Sequence, residues 1–270
     1  MKNIVNPRLT PEHVNEYKRE GYFVYREPVL PENAFQGLKS HFEKKLENLA
    51  IGTRPESMDV PHFTDPALFQ WLFADEILDL IEPIIGPDIC LFSSHFICKP
   101  KGNGKRVPWH EDTYYWKGMM DHPRPVEVVT VWLAIDPSTK ENGCMHVIPR
   151  THDNGDSEYD PADIEKNIFS TEIKRHLVDE SKAVGCILQP NQASLHDGRI
   201  IHGSAPNTSH LRRCGYTMRY TSTAIKHIPT PTHQVYLARG RDLAGNTYAD
   251  PSQSYPHLAR YREKHGKNGH

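Results

Sequence analysis

Val107-Pro-Trp-His-Glu-Asp-Thr-Tyr-Tyr-Trp116 is the stretch on which the reading turns. It follows a Gly- and Lys-rich turn, Lys101-Gly-Asn-Gly-Lys105, and ends in three aromatics. His110 and Asp112 are potential metal ligands two residues apart. In extended backbone, residues i and i+2 face the same side, so both can approach one ion while Glu111 points away. The other comparable pair, His41-Phe-Glu43, falls in a helical pattern, where residues two apart diverge. A third ligand, His202, lies in Ile200-Ile-His-Gly-Ser-Ala-Pro-Asn207, 90 residues after Asp112. Arg213 follows eleven residues beyond that histidine. With 17 histidines in the chain, His-x-Asp alone is a chance-level pattern. Its weight comes from the strand context and the distant partner.

Two histidines and one carboxylate leave three positions of an octahedron open, the arrangement of non-haem Fe(II) oxygenases. The same ligand list also suits zinc. Arg213 bears on the choice. Arg213, Gly215, Thr217 and Arg219 share one face of an extended strand. A guanidinium fork pairs bidentately with a carboxylate and keeps its charge at any ordinary pH. A chelating 2-oxoacid beside the metal would supply that carboxylate; an ordinary surface salt bridge is the alternative.

The rest of the chain bounds the answer. Its 270 residues are enough for one large domain with a real core. Hydrophobic residues at 37% and charged residues at 24% describe a soluble globular protein, and a formal charge of −2 offers no basic field for nucleic acid or an anionic membrane. The opening Met-Lys-Asn-Ile-Val-Asn-Pro is too short and polar for a signal peptide, and no apolar run approaches a membrane span. Five scattered cysteines without a Cys-x-x-Cys read as reduced thiols, which predicts a cytoplasmic location.

Along the chain, Thr10-Pro-Glu opens a helix that should stop at Gly21, followed by a strand at Tyr22–Tyr25. Helices are predicted from about Pro31 to Leu49 and from Pro66 to Ile85. From Asp88 the period changes to two. Strands are predicted at Ile89–Lys99, Val126–Ile135, Cys144–Ile148, Ala183–Leu188, Ser194–Leu195, Ile200–His202 and Arg213–Ala224. Residues 153–180 read as an excursion loop. The prediction is one domain over 1–270, mainly β with flanking helices on a jelly-roll, cupin-like core. Within it, 1–87 form a mostly helical layer, 88–224 the jelly-roll core, and 225–270 a tail or lid.

At these residues the chain resembles the phytanoyl-CoA dioxygenase family of Fe(II)- and 2-oxoglutarate-dependent oxygenases. The resemblance runs from Leu9-Thr-Pro-Glu and Gly21-Tyr through Trp109-His-Glu-Asp112 and Thr130-Val-Trp-Leu-Ala-Ile135. It continues through Glu141-Asn-Gly and Ile148-Pro to His202-Gly-Ser, Pro206-Asn and Arg213. It implies a double-stranded β-helix with Fe(II) on His110, Asp112 and His202, and with 2-oxoglutarate and O2 as co-substrates. It also implies that Arg213 and Ser204 hold the distal carboxylate and that Trp132 walls the co-substrate pocket. The implied reaction is hydroxylation of an aliphatic C–H of a small molecule, with release of succinate and CO2. An aspartate at position 112 favours that outcome over halogenation, where a small residue leaves room for halide. The chain departs from the family at Glu111, where Gln is usual, at Asn191-Gln192, where Gly-Asp is common, and at Pro149-Arg-Thr-His152. Lys99, Tyr114 and Tyr115 are candidate substrate contacts; His152 and His196 are candidates for orienting ligands or substrate. The competing readings are a metal-dependent hydrolase and a non-catalytic metal-binding jelly roll.

Overall fold

The computed structural model describes residues 8–121 and 127–258. The opening seven residues, the start of the strand predicted from Val126 and the end of the tail lie outside them.

Helix α1 (Pro11–Glu20) is capped by Thr10, whose side chain accepts from the His13 backbone N–H, and Gly21 ends it in the left-handed conformation at φ 80°. Strand β1 (Tyr22–Tyr25) and helix α2 (Glu32–Glu47) follow as predicted, then β2 (Met58–Asp59). The third helix is broken. A 3-10 turn at Pro66–Leu68 leads into α3 (Phe69–Leu72), and α4 (Asp75–Ile85) starts afresh. The break falls at Ala74, whose ψ of 133° is extended, and Asp75 and Glu76 then occupy the positive end of the new helix.

The remaining strands are β3 (Ile89–Lys99), β4 (Val107–His110), β5 (Met120–Asp121), β6 (Val129–Ala134), β7 (His146–Val147), β8 (Tyr159–Pro161) and β9 (Thr171–Ile173). After these come β10 (Val184–Gly185), β11 (Ala193–Asp197), β12 (His202–Ser204), β13 (Arg213–Ser222), β14 (Lys226–His227) and β15 (Tyr236–Arg239). One turn of helix, α5 (Asp112–Tyr115), follows β4 directly. Among the described residues, a seven-stranded sheet in the order β1-β11-β6-β13-β3-β15, with β2 beside β3, faces a four-stranded sheet in the order β10-β7-β12-β4. This is the jelly roll.

Strand alternation divides the large sheet into two chemically distinct faces. Val131, Leu133, Leu195, Tyr216, Met218 and Phe96 pack with Leu38, Phe42, Ile77 and Ile81 of the helices in one core. Burying each such side chain stabilises the fold by roughly 1.5–3 kcal/mol. The other face carries Thr130, Trp132, His196, Arg213, Thr217 and Arg219, all buried between the sheets. The register aligns them in rows, with Arg219 and His196 both opposite Thr130, and Thr217 opposite Trp132.

Two segments differ from expectation. Residues 153–180 contain the β8–β9 hairpin, which folds back over the metal turn: the Glu111 backbone N–H donates to the Tyr159 hydroxyl at 2.9 Å, and Ser157 Oγ donates to Glu111 at 2.6 Å. The tail beyond residue 225 supplies β15 to the edge of the large sheet and puts Leu258 into the core. Likewise β1 lies in the sheet rather than the helical layer.

Candidate metal and co-substrate site

The antiparallel pairing of β12 with β4 sets His202 directly opposite His110, with ring centroids 4.1 Å apart. In each ring Nδ1 lies against a backbone carbonyl two residues earlier, Pro108 O at 2.8 Å and Ile200 O at 2.9 Å. A carbonyl only accepts, so Nδ1 carries the proton and Nε2 keeps its lone pair for the site. Asp112, the first residue of α5, is fully buried and brings Oδ1 to 3.7 Å from His110 Nε2 and 4.0 Å from His202 Nε2. The three ligand atoms lie within 4.8 Å of one another. Burial pushes the Asp112 carboxyl up, but the Arg219 charge and the neighbouring imidazoles outweigh it and hold it well below the ordinary carboxylate range. Two imidazole Nε2 atoms and one carboxylate oxygen converging on a single point are a donor set that fits Fe(II).

Arg213 stands at the other end of the same cavity. Its Nε and Nη2 donate to Gly143 O at 3.1 and 2.7 Å, Nη2 also to Ser204 Oγ at 3.1 Å, and the guanidinium lies 5.3 Å from the Trp132 ring centre. Gly215 makes this possible: a Cβ there would come within 2.2 Å of the Trp132 indole. No ion pair joins Arg213 to a carboxylate among the described residues. Burial without a counter-ion pushes its guanidinium down to about 10. Its strand neighbour Arg212 points the other way and pairs with Glu43 and Asp136 at 2.5 and 2.7 Å, tying α2 to the sheet.

The structure separates the remaining candidates. Lys99 sits opposite Arg213 in the register, fully buried, and its ammonium donates to the Ala205 and Ser204 carbonyls. It belongs to the Arg213 end of the site. Burial and the Arg213 charge hold it well below the usual lysine range. Tyr115 lines a cleft that adjoins the metal cavity, with Phe92, Ser93, Trp116 and Met119; Arg219 borders both spaces. Tyr114 instead stacks on Tyr159 with ring centres 3.6 Å apart. His196 lines the metal cavity, its Nε2 3.9 Å from Asp112 Oδ2, whereas His152 is spent on Lys18 O at 3.0 Å, away from the site.

Two groups escaped the sequence reading. Arg219 donates from Nε to Asp112 Oδ2 at 3.1 Å, and Phe169 of the excursion packs on His110 with ring centres 4.8 Å apart. Strand alternation puts Arg219 on the Arg213 face, but no local pattern pairs it with a residue 107 positions away.

This fold and this donor set, with a buried arginine lining the same cavity, are those of the non-haem Fe(II)- and 2-oxoglutarate-dependent oxygenases. The chain is an enzyme of that class. It belongs to the phytanoyl-CoA dioxygenase family, whose model matches residues 4–215. It is 24% identical over 247 residues to the human peroxisomal phytanoyl-CoA dioxygenase, with 83% of this chain and 71% of that one covered. To the probable alpha-ketoglutarate-dependent hypophosphite dioxygenase of Stutzerimonas stutzeri it is 29% identical over 183 residues, spanning 64% of this chain and 58% of that protein's length. Among solved structures, the non-heme monooxygenase ThoJ aligns over 93% of both chains with a TM-score of 0.73 at 20% identity. EvdO2 of Micromonospora carbonacea var. aurantiaca, complexed with 2-oxoglutarate, aligns over 86% of this chain and 97% of its own, with a TM-score of 0.66 at 20% identity. At that identity both share the fold with this chain. No helix among the described residues is long and apolar enough to cross a membrane.

Proposed function

We propose that this protein hydroxylates an aliphatic C–H of a small molecule, using Fe(II) on His110, Asp112 and His202, with 2-oxoglutarate and O2 as co-substrates. Bound iron with its co-substrates supplies the oxidising chemistry, 2-oxoglutarate leaving as succinate and CO2. The chain's own residues do the placing. Arg213 takes the distal carboxylate as a charge-assisted pair, with Ser204 Oγ beside it, the Lys99 ammonium behind, and Trp132 as the wall. The substrate then enters from the cleft beyond Arg219. There Phe92, Tyr115 and Trp116 offer apolar surface, and buried Ser93 Oγ has no hydrogen-bond partner among the described residues. An unsatisfied buried hydroxyl costs about 1–3 kcal/mol, so it favours a substrate with a hydrogen-bonding group at that end. The five cysteines are all free and buried, which fits a reducing cytoplasm.

The observation that carries this reading is the buried Arg213, with no carboxylate partner among the described residues, in the same cavity as the three ligands. A metal hydrolase has no use for it. Anaerobic addition of Fe(II) and then 2-oxoglutarate should produce a weak visible charge-transfer band, and air should then release succinate. Absence of the band together with no thermal stabilisation by either component would sink the proposal.

A further inference from the structure

Asp112 has two oxygens with different surroundings. Oδ1 faces both histidine Nε2 atoms, at 3.7 and 4.0 Å. Oδ2 takes the shorter hydrogen bond from Arg219, from Nε at 3.1 Å, and one from Thr130 Oγ1 at 3.5 Å, with His196 Nε2 at 3.9 Å; the same guanidinium reaches Oδ1 through Nη2 at 3.4 Å. Arg219 is itself immobilised. It is buried on the inner face of β13, its register partners are Ser93 and Thr130, and its guanidinium lies 5.4 Å from the Trp116 ring centre. Side-chain packing and the hydrogen bonds therefore fix the carboxylate plane.

We infer that Arg219 is a positioning residue that restricts Asp112 to one-oxygen coordination of the metal, leaving three coordination positions free. The inference rests on the metal site proposed above. A carboxylate left to itself can chelate an ion through both oxygens. To do so here, Oδ2 would have to abandon its charge-assisted hydrogen bond from Arg219 Nε. The stake is the number of open positions. Three protein atoms on an octahedral ion leave three, of which a chelating 2-oxoacid takes two; a chelating Asp112 would consume the last.

Mn(II), a redox-silent stand-in, tests this without turnover. Binding of Mn(II) to the wild-type protein, and its loss in His110→Ala, establishes the metal site; no binding overturns the site and this inference together. The number of exchangeable waters on bound Mn(II), read from line broadening in H2(17)O, judges Arg219 alone. Wild type should show three waters, Arg219→Lys three, and Arg219→Met, which keeps the stem but cannot donate, two. Three waters in a folded, Mn(II)-loaded Arg219→Met protein overturn the inference. A second readout needs no variant. The infrared difference spectrum on Mn(II) loading of protein carrying 13C-labelled aspartate should show the wide carboxylate splitting of one-oxygen coordination. A narrow, chelate-type splitting also overturns it.

Discussion

Replacing Arg213 by Met should leave the protein without co-substrate no less stable, while removing its response to 2-oxoglutarate. Among the described residues the buried guanidinium has only Gly143 O and Ser204 Oγ as acceptors, and burial lowers it from its ordinary value to about 10. That drop corresponds to roughly 3 kcal/mol of destabilisation in the charged form, which persists at neutral pH because the group stays protonated there. Complete burial leaves no solvent screening to discount. Against this gain, the variant strands the Gly143 carbonyl, at about 1–3 kcal/mol. It also relieves the repulsion between Arg213 and Lys99. The sum lies between about zero and 2 kcal/mol in favour of the variant, where truncating a large buried side chain ordinarily costs about 2–5 kcal/mol. The wild type should recover the difference on ligand binding: at a hundred times its dissociation constant, 2-oxoglutarate adds about 2.7 kcal/mol. Urea unfolding of both proteins with Mn(II), with and without 2-oxoglutarate, makes the comparison. The stability order should reverse on adding the co-substrate. An Arg213→Met protein clearly less stable than wild type without 2-oxoglutarate, or one that keeps the full ligand-induced gain, refutes the reasoning.

Three further outcomes follow from single features. Gly215→Ala places a Cβ 2.2 Å from the Trp132 indole; it should cost about 1–3 kcal/mol of stability and raise the 2-oxoglutarate KM on the order of tenfold, as the indole is pushed off the pocket wall. His227 is buried against Thr221 Oγ1 at 2.9 Å, and burial, with the Lys226 charge, pushes it down to about 4. The unfolded chain takes up this proton near pH 6.5 while the native state refuses it until about 4, so up to roughly 3 kcal/mol of stability is lost as pH falls through that window. His227→Gln should flatten that part of a stability-versus-pH curve measured by urea midpoints; an unchanged slope assigns it to another group. His110→Ala should abolish the Fe(II)-induced rise in Tm and succinate release while near-ultraviolet circular dichroism shows a retained fold. A metal response of wild-type size would remove His110 from the ligand set.

Much of the fold was legible because its signals are local. A period of two marks β3 at Ile89–Lys99, and capping chemistry marks α1 at Pro11–Glu20. The broken third helix was not legible: Leu68, Leu72, Ile77 and Ile81 keep an apolar pattern across Ala74 because all four face one core, and the interruption there is a backbone choice. The excursion over residues 153–180 looked structureless because its hairpin is short and polar. Its order comes from contacts with Glu111 and His110 that lie far away in sequence. Lys99 illustrates the same limit: alternation puts it on the inner face, but only the pairing of β3 with β13 reveals that it stands beside Arg213 rather than at the substrate cleft.

What the sequence by itself determined is which residue types face inward and at what spacing, since alternation is a property of the backbone within one strand. It put Arg213 and Arg219 on one face, and the extended backbone at Glu111, between β4 and α5, keeps His110 and Asp112 on one side. Tertiary structure decided what those faces meet. The register of β12 on β4 brings His202 opposite His110. Arg212 finds Glu43 and Asp136 outside, whereas Arg213, one residue on, finds no carboxylate among the described residues inside. Arg219 meets Asp112 across the cavity. Strand partners and burial are collective outcomes of packing the whole chain, so a site that depends on unpaired charge and a fixed carboxylate oxygen becomes visible only once the two sheets have closed around it.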